Sequence, residues 1–176
     1  MGRRYYLHVK KRSSRRSTNI ALTYQTGLLE FSVTADLAGQ RTGLSVTGWD
    51  VSSKSGIKSE ASESCIASEL NGKRSGPGIL QNAFGKRAEQ VSHLAPSTTD
   101  EARQLSESYF CRTARRFVTG YGTAVCDGRI RVGAHLELKG LGELFDGEYY
   151  VVQVSHTFDL KNGCQTHFQV ERPWIP

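Results

Sequence analysis

Between Val118 and Val170 the chain carries four short runs in which apolar and polar residues alternate, and this pattern constrains the fold most. A period of two sends alternate side chains to opposite faces of a strand, so each run has one face that must be covered. Val118–Cys126 and Arg131–Leu138 flank Asp127-Gly128, which reads as a hairpin turn. Tyr149–Phe158 and Gln165–Val170 flank a second turn, Lys161-Asn162-Gly163. In the third run Tyr150, Val152, Val154 and His156 share a face, opposite Tyr149, Val151, Gln153 and Ser155. In the fourth, Thr166, Phe168 and Val170 share one. Gly140-Leu141-Gly142, with Phe145 and Gly147 beyond, reads as a glycine corner between the second and third runs. The expected fold is mainly β (α+β), closing in a small antiparallel barrel. Tyr150→Asp or Phe168→Asp is expected to collapse that barrel.

Upstream, the period of two recurs in Leu28–Ala35, where Leu29, Phe31 and Val33 alternate with Glu30, Ser32 and Thr34. It recurs again where Leu44, Val46 and Gly48 alternate with Ser45, Thr47 and Trp49, so the two runs read as neighbouring strands joined by a short loop. Lys54–Glu63 is polar and suits an edge strand, and Tyr5–Val9 reads as a further strand. Residues 71–97 lose the pattern, and the Gly72–Gly78 stretch GKRSGPG reads as a loop within a mobile insertion. The clearest helix covers about residues 98–117. Thr98 is placed to cap it with Glu101 three residues on, Ala102, Leu105, Tyr109 and Phe110 form an apolar stripe that Phe117 closes, and Arg112, Arg115 and Arg116 complement the dipole. The division expected is a basic arm (1–17), a β-rich segment (18–70), the insertion (71–97), and a helix packed on the closing barrel (98–176).

The formal charge of +6 belongs to one place. Seven of the 23 basic residues lie in residues 1–16, and the remaining 16 face all 17 acidic residues, so the body carries a net charge of −1. Arg12, Arg15 and Arg16 are candidate polyanion contacts, but no aromatic residues interleave with them as single-strand binding requires. The expected reading is a solvated arm or a charged edge hairpin, and nucleic acid is not expected as a partner. No run approaches the ~18 apolar residues of a membrane span, so no membrane anchor is expected. Nor does the N-terminus carry a signal-peptide core. Cys65, Cys111, Cys126 and Cys164 lack zinc-knuckle spacing, and without an export signal they are expected to be small buried side chains rather than disulfides.

Arg131–Arg172 resembles the closing module of the phage late control D proteins, the tail-hub relatives of VgrG in contractile phages and injection systems. The matching features are Gly133, the corner from Leu138 through Gly140 to Gly142, Phe145 and Gly147, then Tyr149–Val151 with Tyr150 at its centre, His156, and a final strand holding Phe168 and ending at Arg172. Leu28–Gln40 and Ser45–Asp50, whose Gly48-Trp49-Asp50 forms a strand end, are similar to the same family. The resemblance covers roughly residues 18–173, with 71–96 matching poorly. It implies barrels related to tail-tube subunits and a homotrimeric baseplate hub adapting the tube protein to the spike protein. It further implies assembly in the bacterial cytoplasm followed by residence in a phage tail or injection particle. Family members carry a further hub region before this one, so the resemblance implies a truncated product or an excised domain.

Catalysis is not expected. His8, His93, His135, His156 and His167 fit no metal-binding frame, although His156 and His167 flank a predicted hairpin. His156 is expected to anchor a strand by hydrogen bonding, with His167 facing solvent. Cys126 and His135 suggest a nucleophile pair, but Cys126 sits at a strand end, where nothing lowers its pKa. Glu137, Glu143, Asp146 and Glu148 cluster near the corner without an apolar pocket to raise a carboxyl pKa. No cofactor and no metal are expected. A structural tail-hub module is the first reading, a basic-arm nucleic-acid- or cell-wall-binding module the alternative, and a cell-wall hydrolase fragment a distant third.

Overall fold

The computed structural model describes Arg12 and residues 19–176. The predicted strand over Tyr5–Val9, with Arg15 and Arg16, lies outside the described residues. Leu28–Ala35 is a strand (β2), preceded by β1 (Asn19–Thr23), and Gly43–Asp50 (β3) and Ser55–Ser62 (β4) follow. A 3-10 turn (Glu63–Ile66) leads into the short helix α1 (Ala67–Leu70). Next come β5 (Arg74–Ser75), α2 (Gly76–Phe84), β6 (Ala88–Val91) and the long helix α3 (Thr99–Arg115). The last third holds β7 (Val118–Val125), β8 (His135–Lys139), β9 (Gly147–Asp159), β10 (Gly163–Arg172) and β11 (Trp174–Ile175).

The strands divide into a six-stranded sheet ordered β1-β8-β9-β10-β7-β2, a three-stranded sheet ordered β4-β3-β6, and the pair β11-β5. The six-stranded sheet is a curled half-barrel. Its edges β1 and β2 are joined by only four residues, which holds their ends together, yet they meet only in the Tyr24–Leu28 bridge. The expected small antiparallel barrel is met in part: among the described residues the sheet does not close, and β1 pairs parallel with β8. Ile20, Leu22, Leu28, Leu136, Leu138, Tyr149, Val151, Phe168 and Val170 fill its concave side.

Four further expectations change. The strands β2 and β3 are not neighbours but lie in different sheets. Between them the Asp36 amide donates to Phe117 O at 2.9 Å and Gln40 Nε2 donates to Thr113 O at 2.9 Å. The connection is thus pinned to the end of α3, which carries the chain from one sheet to the other. Second, Asp127-Gly128 closes no hairpin, because β7 pairs with β10 and β2 while β8 pairs with β9. Asp127 accepts from the Arg129 amide at 2.9 Å, and the turn drives fully buried Ile130 into the core before the chain crosses to β8.

Third, α3 packs on the three-stranded sheet and not on the barrel. Its buried stripe of Ala102, Ser106, Phe110, Cys111 and Ala114 shares a second core with Leu44, Val46, Ala61, Ile66 and Val91. Small residues at a spacing of four let the helix approach closely, and Ser106 Oγ lies 3.2 Å from Ser59 Oγ of β4. Phe117 lies past the helix end and belongs to the barrel core. Thr98 caps α3 through the Glu101 amide at 3.2 Å, but Glu101 returns its carboxylate to Ser97, at 2.9 Å from that amide. Fourth, residues 71–97 hold β5, α2 and β6 and are no bare loop. The helix α2 carries Pro77 in its first turn, is capped by Ser75 Oγ at 2.9 Å from the Gly78 amide, and buries Leu80. As expected, β4 is an edge strand.

Candidate assembly surface

The glycine corner is built around a buried cation. Arg172 falls in phase with Phe168 and Val170 on β10, so the strand points it inward, where it is 1% exposed. Its guanidinium donates to Asp146 O at 3.0 Å and Leu144 O at 2.8 Å, holding the loop that leads into β9. It lies 4.5 Å from the Tyr149 ring centroid and 4.2 Å from that of Trp174, and Lys73 Nζ also lies over the Trp174 ring at 3.5 Å. Burial lowers the Arg172 pKa from its ordinary value and pushes the Tyr149 hydroxyl up to about 12. That hydroxyl donates to Phe145 O at 2.7 Å. Gly140 and Gly142 take φ of 85° and 95°, and Gly142 O accepts from the Phe145 and Asp146 amides at 2.9 and 2.8 Å. Leu138 opposes Gly147 at the base of the corner, which packs beneath Trp174.

Away from the core the half-barrel presents polar rows across β2, β7, β10 and β9. Ser32, Tyr121, Gln169 and Gln153 align in one row, and Glu30, Thr123, His167 and Ser155 in the next. They line an open groove of about 490 Å³. At its end the β9–β10 hairpin carries Phe158, 76% exposed, and Leu160, 99% exposed. Among the described residues the sheet has two unpaired edges, and the hairpin tip is apolar and exposed.

The remaining candidate residues are dispersed. Trp49 is exposed at the end of β3, and its amide donates to Pro96 O at 3.3 Å. Asp50 accepts from the Ser52 hydroxyl at 2.6 Å and from the Ser52 and Ser53 amides, which holds its carboxyl at about 2. Both belong to the helical layer, on a different sheet from the corner. The Gly133 amide donates to Val151 O at 2.9 Å. Phe168 packs in the barrel core over Gly122.

Tyr150 does not share a face with Val154 as expected. The register slips between Gln169 and Val170, leaving Val152 as a bulge, so Tyr149 and Val151 face the core while Tyr150 turns to the opposite face, where it is still buried at 8% exposure. There it receives Arg12, whose guanidinium stacks 3.4 Å from its centroid and pairs with Glu171. Arg12 is thus engaged within the fold by Tyr150 and Glu171.

His156 Nδ1 lies 2.9 Å from Thr166 Oγ1, the strand-anchoring role expected, and His167 bonds Thr123 and Thr157 on the outer face. The strand pleat puts the two imidazoles on opposite faces, and no metal-binding group occurs among the described residues. Glu148 pairs with His135, Glu137 with Lys139, and the Asp146 carboxylate accepts from the Leu141 amide at 2.6 Å. Glu137, Asp146 and Glu148 are therefore each held by a different partner. Cys126 and Cys164 form a disulfide with Cα atoms 5.2 Å apart, contrary to expectation. The β9–β10 hairpin returns β10 beside β7, so residues far apart in sequence end side by side. The cation at Arg172 was missed as a site, although its phase with Phe168 and Val170 signals it.

The family model described as the Alg8 N-terminal domain matches residues 3–159. No curated protein matches the chain. Among solved structures, the 43 kDa tail protein of prophage MuSo2 from Shewanella oneidensis is similar with a TM-score of 0.65 at 11% identity, covering 92% of this chain and 46% of that one. The tail protein from Neisseria meningitidis MC58 is similar with a TM-score of 0.62 at 8% identity, covering 92% and 47%. The chain spans about half the length of these tail proteins. At such identities the likeness establishes a shared fold. No helix among the described residues is long and apolar enough to cross a membrane.

Proposed function

The chain belongs to the Alg8 N-terminal domain family, and from its likeness in fold to phage tail proteins we propose that it is a structural, non-catalytic component of a phage-type tail. The observation that carries this reading is the likeness to a prophage tail protein over 92% of the chain. The open edges β1 and β2 and the apolar β9–β10 tip support it, because they suit lateral assembly better than a closed pocket.

The finer reading is a baseplate hub of the late control D kind: a homotrimer that joins the tail-tube protein to the spike. Cys126 and Cys164 are engaged in a disulfide and Glu137 and Glu148 in ion pairs, which is consistent with a scaffold. Light scattering of the chain alone and with a candidate tube protein tests the proposal. A trimer, or a defined complex with the tube protein, is expected. A strict monomer indifferent to the tube protein overturns the hub reading, and turnover of peptidoglycan overturns the non-catalytic one.

A further inference from the structure

We propose that Cys65 and Cys111 form a second, reversible disulfide that locks the 3-10 turn onto α3. Their Sγ atoms lie 3.1 Å apart although the residues are 46 apart in sequence, and both thiols are free in this structure. Cys65 ends its approach held from both sides: its thiol donates to Ser62 O at 3.1 Å, and the Cys111 thiol donates to Cys65 O at 3.5 Å. Cys111 is fixed in the buried stripe of the long helix, so neither sulfur has far to move. Close beside them Glu69 of α1, the helix that follows the turn, receives Arg115 of α3 through bonds of 3.1 and 3.0 Å, a second tie to the same long helix. Cys65 is partly exposed and Cys111 buried, which sets the order of events.

With a low-molecular-weight disulfide as oxidant, the Cys65 thiolate attacks one of its sulfurs and expels the first thiolate, leaving a mixed disulfide on Cys65. The Cys111 thiolate then attacks Cys65 Sγ, and the second oxidant thiolate leaves. Two protein S–H bonds are lost, one protein S–S bond forms, and the oxidant takes up both electrons as two thiols. Burial, and next the neighbouring Cys111 thiol, push the Cys65 thiol up to about 12. Exchange is therefore slow at neutral pH and rises steadily as the solution becomes alkaline. The inference is independent of the tail reading, because it rests on one pair of side chains within one layer.

The test treats the full chain with oxidised glutathione between pH 7 and 9, then blocks free thiols and maps peptides by mass. The expected product is a Cys65–Cys111 cross-linked peptide, two hydrogens lighter than the reduced pair, formed faster at pH 9, with a thermal midpoint raised by several degrees. The C126S/C164S variant, whose only cysteines are this pair, is expected to give the same link. C111S is expected to stop at glutathione on Cys65. A persistent mixed disulfide in the unmutated chain overturns the proposal. So does recovery of both thiols in blocked form after alkaline treatment that oxidises an unfolded control.

Discussion

A β-carbon on Gly122 would lie 2.4 Å from Cζ of Phe168, so the bare strand backbone is what lets that ring cross β7. Gly122→Ala is expected to cost about 1–3 kcal/mol by overpacking. Gly128→Ala, with nothing within 4 Å of the new carbon, is expected to stay within about 0.5 kcal/mol in urea titrations. At the corner, Arg172 satisfies two carbonyls while stacked between aromatic rings. Arg172→Met keeps the buried stem but orphans both acceptors, so a loss of about 2 kcal/mol is expected, read as a lower urea midpoint at unchanged slope. These roles are partly legible in advance. The phase of Arg172 is written in the alternation of β10, whereas its stacking partner Trp174 lies beyond Pro173, where a period of two says nothing.

In β9 a single extra residue decides which side chains are core. The run alternates cleanly on paper, yet the Val152 bulge reverses its phase, so Val151 and Val154 both face inward. Val151→Asp is expected to abolish cooperative unfolding. Tyr150→Asp is expected to retain it while losing the Arg12 contact, which circular dichroism melts of the two variants distinguish. The β3–β4 turn offers a titration. Asp50 is held at about 2 against an ordinary 3.8 by the Ser52 and Ser53 donors. A lowered folded-state pKa means its support for the turn is complete above pH 3.8 and fades as the pH falls towards about 2. A carboxyl NMR titration with its midpoint near 2, moved up by Ser52→Ala, is the expected result.

Two cores share the molecule, one inside the half-barrel and one between α3 and the three-stranded sheet. The Cys126–Cys164 bridge ties the end of β7 to the start of β10 across 38 residues of sequence. Reducing it is expected to remove about 3–4 kcal/mol by freeing the unfolded chain, measured as the difference in denaturant stability with and without a thiol reductant. The sheet containing β7–β10 also takes in β1 and β2, and α3 covers the three-stranded sheet.

The sequence by itself determined that the chain is mainly β, where most strands run, that one long capped helix carries an apolar stripe, and that glycines turn the corner before β9. Those are local properties, set by side-chain period, capping chemistry and backbone freedom. Tertiary structure alone decided that the barrel stays open, that β8 and β1 run parallel, and that four cysteines gather into two pairs. It also decided which sheet α3 covers. Such outcomes depend on contacts between distant residues, where an apolar face marks that it must be covered but not by what.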